Sequence, residues 1–134
     1  MASISALRSG ISANLLAAGI RSSATIPDLI NPPFAIIAPS GVSYHRAFNN
    51  ALTEYTFTIT LIVGRASERS AQNLLDGYSS ATGSTSIRVA VESDKTLGGV
   101  AYDTVVTEAR NYGSIVLGET TYLAVEFNVA VQAD

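Results

Sequence analysis

The sequence predicts an α+β fold: an antiparallel or mixed sheet of about four strands, two to three helices packed on one face, and a projecting β-hairpin arm. Three observations predict it. Tyr55, Phe57, Ile59, Leu61 and Val63 alternate with Thr56, Thr58 and Thr60, the period-two signature of a half-buried strand. Leu123, Val125, Phe127, Val129 and Val131 alternate with Tyr122, Ala124, Glu126 and Asn128 in the same way. Ile4, Leu7, Ile11 and Leu15 recur at helical spacing on one stripe instead.

That first helix ends near Gly19, and Gly10 weakens it by about 1 kcal/mol relative to alanine. Ile26-Pro27 and Asn31-Pro32-Pro33 follow as a rigid connector, because proline lacks an amide donor and fixes φ. Phe34 to Ala38 reads as a short strand stopped by Pro39. Val42, Tyr44, Arg46 and Phe48 then alternate with Ser43, His45, Ala47 and Asn49, and Asn49-Asn50 suits a tight turn. Together with the strand from Tyr55 to Val63 this makes a hairpin longer than the core requires. Its outer end carries Tyr, Phe and Arg, the side chains that dominate protein interfaces.

Ser67 suits a helix N-cap with Glu68 at the positive end, and Ala71, Leu74, Leu75 and Tyr78 form one apolar stripe. The Ser, Thr and Gly between Tyr78 and Ser86 make a surface loop. Ile87 to Val91 fits either period; the Ser86 cap favours a short helix. Leu97-Gly98-Gly99 turns the chain into a strand from Val100 to Ala109, Tyr112 to Leu117 extends or pairs with it, and Gly118-Glu119 turns into the last strand. The expected core is Leu7, Ile11, Leu15, Phe57, Ile59, Leu61, Leu74, Leu75, Phe127 and Val129.

A chain of 134 residues suits one domain spanning 1–134. Charged residues make up 14% of it, and this low density favours a subunit of an assembly. A net charge of −3 argues against affinity resting on phosphate neutralisation. Without cysteine there is neither a thiolate nucleophile nor a disulfide framework. Ser3 to Ile20 is interrupted by Ser5, Ser9, Ser12 and Asn14 and does not read as a targeting signal, and no apolar run is long enough to span a membrane.

Chemistry is sparse. His45 is the single histidine and has no metal-ligand spacing or nucleophile nearby. Asp103 and Glu108, five positions apart on one strand, are expected on opposite faces, which separates them as an acid-base pair. Gly98-Gly99 lacks the lysine and further glycines of a phosphate cradle. No catalytic, cofactor-binding or metal-binding residue is therefore assigned. Tyr44, His45, Arg46, Phe48, Asn49 and Arg65 are the candidate subunit-interface residues, Arg65 because guanidinium makes planar multi-donor contacts.

Five segments carry a resemblance across nearly the whole chain. They are Ile30-Asn31-Pro32-Pro33-Phe34-Ala35, Tyr44-His45-Arg46-Ala47-Phe48, the run Leu61-Ile62-Val63-Gly64-Arg65-Ala66-Ser67-Glu68-Arg69-Ser70-Ala71-Gln72, Thr96-Leu97-Gly98-Gly99-Val100 and Tyr122-Leu123-Ala124-Val125-Glu126-Phe127. In this order and spacing the chain resembles the tail terminator proteins of long-tailed, siphovirus-type phages of actinobacteria. The resemblance implies a non-enzymatic virion subunit, assembled in the host cytoplasm, that forms a homo-hexameric ring on the head-proximal end of the tail tube. Its implied partners are further copies of itself, the major tail tube protein and the neck or head-completion proteins. Genomic DNA would pass through the lumen without specific binding, and no cofactor or membrane is involved. Ile87 to Val91 departs most, being richer in β-branched residues than the helix expected there. Three other readings stand beside this one: a neck adaptor or head-closure subunit, a small enzyme using His45, Arg65 and Asp103, and a ligand-binding module on the open face of the sheet.

Overall fold

Ser3 starts the first helix, α1 (Ile4–Ala17), by accepting the Ala6 amide on its hydroxyl at 3.1 Å. Gly19, at φ +88°, ends it in a Schellman motif: the Gly19 amide donates to the Leu16 carbonyl and the Ile20 amide to Leu15, each at 2.9 Å. Leu7, Ile11 and Leu15 are buried on its inner face. The computed structural model describes residues 3–23, 33–44, 53–65, 69–80, 83, 86–117 and 119–133.

Among these residues the fold is α+β, with three α-helices and a mixed, open sheet. The strands are β1 (Arg21–Ser23), β2 (Phe34–Ser43), β3 (Thr53–Arg65), β4 (Asp103–Leu117) and β5 (Thr120–Ala133), in the order β1-β2-β3-β5-β4. Only β1 with β2 is parallel. The sheet thus exceeds the expected strand number by β1, a three-residue Ser-rich piece without alternation that pairs Arg21 with Phe34 and Ser23 with Ile36.

The two alternating strands form, except at the start of β5, where Tyr122, expected outward, is buried and Leu123 is half-buried opposite the bulge between Ile62 and Gly64. Phe57, Ile59, Leu61 and Val63 face the core from β3, and Val125, Phe127, Val129 and Val131 from β5. Helices α1, α2 (Arg69–Ser79) and α3 (Ile87–Val91) pack on this face and bury one continuous cluster with it. Ile87 to Val91 is the short helix that its cap favours: the Ser86 hydroxyl accepts the Val89 amide and donates to the Ser80 carbonyl, tying α3 to the end of α2. Ser67 and Glu68, like the connector at 24–32, lie outside the described residues. Leu75 is buried and Tyr78 half-buried, and burial pushes the Tyr78 phenol up from its ordinary pKa.

Four expectations need correction. Leu74 is 42% exposed and not a core residue, because α2 turns only Leu75 and Tyr78 inward at that point. Strand β2 does not stop at Pro39 but runs to Ser43, with a bulge between Pro39 and Gly41. Strand β1 covers β2 only as far as Ile36, so among the described residues no outer neighbour needs the amide that Pro39 lacks. Strand β4 starts at Asp103, and Val100 and Ala101 precede it in a turn. Gly10 does more than weaken α1: a Cβ there would lie 2.6 Å from the Leu97 Cβ, so its absence lets the Leu97 turn seat on the helix.

Candidate functional site

Of the six expected interface residues, His45, Arg46, Phe48 and Asn49 lie outside the described residues. Tyr44 follows the last rung of the β2–β3 ladder, Ser43 with Glu54, and is 71% exposed. Arg65 is the last residue of β3 and its backbone pairs with Tyr122 on β5. Glu54 and Arg65 stand at opposite ends of one strand, and at about 3.3 Å per residue those ends are about 36 Å apart. The fold therefore does not bring Tyr44 and Arg65 into one patch. Up to Glu54 the hairpin is also flanked by β5, whose Gln132 pairs with Glu54, so its described part is integral to the sheet.

The rung Ser43–Glu54–Gln132–Asp103 crosses four strands at the Tyr44 end. Just beyond it Tyr102, 61% exposed, donates its amide to the Gln132 carbonyl at 2.7 Å. Two exposed tyrosines thus stand on the same end of the sheet, three strand spacings or about 14 Å apart across it. Sequence reasoning overlooked Tyr102; its signal was an aromatic placed directly between the Gly98-Gly99 turn and a strand. At the opposite end, the β4–β5 hairpin closes on the pair Leu117–Thr120, beside Val116, which is 66% exposed.

The helix-free face carries a polar ladder, with Ile62, Ala124 and Tyr122 buried toward the Arg65 end and the Gln132 Oε1 buried without a partner toward the other. Thr56, Thr58 and Thr60 run along β3; beside them Asn128 donates to the Glu108 carboxylate at 2.6 Å and Asn111 to that of Glu126 at 2.5 Å. Asp103 and Glu108 share this face, contrary to expectation, because a one-residue bulge between Val106 and Glu108 shifts the alternation. They pair with Gln132 and Asn128, which puts them about 13 Å apart along the strand. Asp103 faces Lys95 at 3.7 Å. Arg65 and Asp103 lie at opposite ends of the sheet, about 33 Å apart, and do not converge on a common centre.

The free edge of β4 is partly closed by Glu92. Its carboxylate accepts the Val106 amide at 2.9 Å and faces Arg88 at 3.6 Å and Lys95 at 3.9 Å. Asp94, two residues on, accepts from the Thr96 hydroxyl, the Gly98 amide and the Thr96 amide, which hold its carboxyl below the usual carboxylate range. Among the described residues no group of three His, Cys, Asp or Glu could hold a metal ion, and no helix is long and apolar enough to cross a membrane. No protein-family model matches the chain, and no curated protein does.

Proposed function

We propose that this chain is a ring-forming structural subunit of a phage tail, the terminator that caps the head-proximal end of the tail tube and ends its polymerisation. One observation carries the reading: exposed aromatic and apolar side chains stand at two opposite ends of the sheet, Tyr44 and Tyr102 at one and Val116 at the other. A closed ring needs a heterologous contact, in which one patch meets a different patch on the next copy. Two distinct ends of a long sheet supply such a pair, and Arg65 belongs to the second of them. His45, Arg46, Phe48 and Asn49, which follow Tyr44 in the sequence, belong on this reading to the same contact.

The remaining features fit this role. A chain with few charges and a net charge of −3 lines a passage that DNA traverses without adhering, since like charges repel. The pairing of Asn128 with Glu108 and the separation of Arg65 from Asp103 favour contact over catalysis. The partners are further copies in a homo-hexamer, the tail tube protein and the neck proteins.

The test is polymerisation of purified tube protein in the presence of the chain. The reading expects elongation to stop at substoichiometric amounts, with the chain found at tube ends. A chain that leaves tube growth unchanged but binds neck components would shift the assignment to a neck adaptor or head-closure subunit.

A further inference from the structure

Strand β1 leaves a cleft of about 220 Å³ against one flank of α1, lined by Arg8, Ser9, Ser12, Ser22, Ser23 and Ile37. Helical spacing places Arg8 and Ser12 one turn apart on that flank, and the hydroxyls of Ser12 and Ser22 meet at 2.7 Å across the cleft. Arg8 is half-buried. Its Nε–H is shut off from solvent and has no acceptor, the only cationic group so placed among the described residues. Among the described residues no acidic side chain lines the cleft. A buried guanidinium N–H without an acceptor is an unusual arrangement, because burial normally brings a carboxylate or carbonyl with it.

We infer that this cleft binds an oxyanion, a carboxylate or phosphate group, with the Arg8 guanidinium as the charge partner and the serine hydroxyls as neutral donors. The chemistry follows from the donor set. Arginine presents several N–H groups in a fixed plane that matches the oxygens of such groups, and hydroxyls turn to donate wherever an acceptor arrives. Ile37 makes one wall apolar, which lowers the local dielectric and strengthens the pairing. The volume admits a group of several non-hydrogen atoms and no extended chain. The inference is independent of the ring reading, since the cleft lies between α1 and β1, away from the sheet ends that carry Tyr44 and Val116.

The experiment is a titration of the full-length, ¹⁵N-labelled chain at fixed ionic strength, with inorganic phosphate in one arm and glutarate in the other. The readouts are the Arg8 Nε–Hε resonance and the Ser9, Ser12 and Ser22 amides. Saturable movement of these signals is expected, and Arg8→Gln is expected to weaken it at least about tenfold, as loss of a charge-assisted partner should. Saturation with phosphate alone assigns a phosphate group, and saturation with glutarate alone a carboxylate. Ser12→Val, which narrows the cleft and leaves Arg8 in place, should weaken binding in a chain that still folds, and it carries the test if the Arg8 variant does not fold. Movement that stays linear up to 100 mM of either anion, roughly ten times the weakest affinity of interest, or that is unchanged in both variants, overturns the assignment.

Discussion

On one flank of α1, Gly10 lets the Leu97 turn approach and the Asn14 side chain donates to the Val91 carbonyl at 2.9 Å and the Asp94 carbonyl at 3.1 Å. On the other flank of the same helix, Arg8 and Ser12 border an open cleft. The first flank is closed and its polar groups are paired; the second holds a buried donor with none. The same contrast recurs at larger scale. The helix-covered face of the sheet is one continuous buried cluster, whereas the two ends of the sheet present Tyr44, Tyr102 and Val116 to solvent. Contacts within the chain are concentrated in the interior, and exposed aromatic and apolar side chains stand at the sheet ends.

The largest effect is expected at the closed flank. Gly10→Val should lower the unfolding free energy by about 2–3 kcal/mol in denaturant titration, since the new side chain meets Leu97 head-on. Gly10→Ala is the more telling variant. Helix propensity alone would make it about 1 kcal/mol more stable, whereas a Cβ 2.6 Å from Leu97 should make it less stable by about 1 kcal/mol. Leu97 has little freedom to retreat, because it already sits at φ +51° between the turn and the helix. Asn14→Leu should cost about 2 kcal/mol by leaving the carbonyls of Val91, at the end of α3, and of Asp94, just beyond it, without this donor. A midpoint unchanged from wild type would mean that those carbonyls find water.

Asp94 gives a pH-dependent version of the same test. Its carboxyl is held below the usual carboxylate range by the Thr96 hydroxyl first, then by the Gly98 and Thr96 amides. A folded-state value below the unfolded one stabilises the protein above the unfolded pKa, and that stabilisation is lost as pH falls through the folded value. The difference in melting temperature between wild type and Asp94→Asn should therefore be present at pH 7 and shrink below about pH 4. A difference that stays constant with pH would point to hydrogen bonding that does not depend on charge. The smallest stability effect is expected at the sheet end, where Tyr44→Ser and Tyr102→Ser should each change the unfolding free energy of the isolated chain by less than about 0.5 kcal/mol.

How much of this was legible in the sequence follows from how far apart the interacting residues lie. Periodicity along β3, β5 and α1 depends on neighbours a few residues away, and it gave those elements, the α+β class and nearly all of the expected core. The Ser86 cap sufficed to prefer a helix at Ile87–Val91 over the strand that its β-branched residues suggest. What stayed hidden depends on distant partners. Asn14 interrupts an apolar stretch as a polar residue, and its purpose appears only with carbonyls 77 and 80 positions away. Gly10 is explained by Leu97, and the shared face of Asp103 and Glu108 by a bulge with no compositional mark. Strand β1 has no pattern of its own and is a strand only because β2 is beside it. Of the candidate interface, the exposure of Tyr44 fits the reading, the distance to Arg65 was not foreseeable, and Tyr102 was overlooked.

On the function proposed above, the two ends of the sheet join copies of this chain into a ring. The most direct test is the mass and electron-microscopic class average of the purified chain on tail-tube ends, compared with a variant carrying Tyr44→Ser and Tyr102→Ser and lacking 47–51. The account predicts a closed ring for the wild-type chain and a folded monomer for the variant. A variant that still forms rings of the wild-type mass, or a wild-type chain that stays monomeric on the tube, would contradict it.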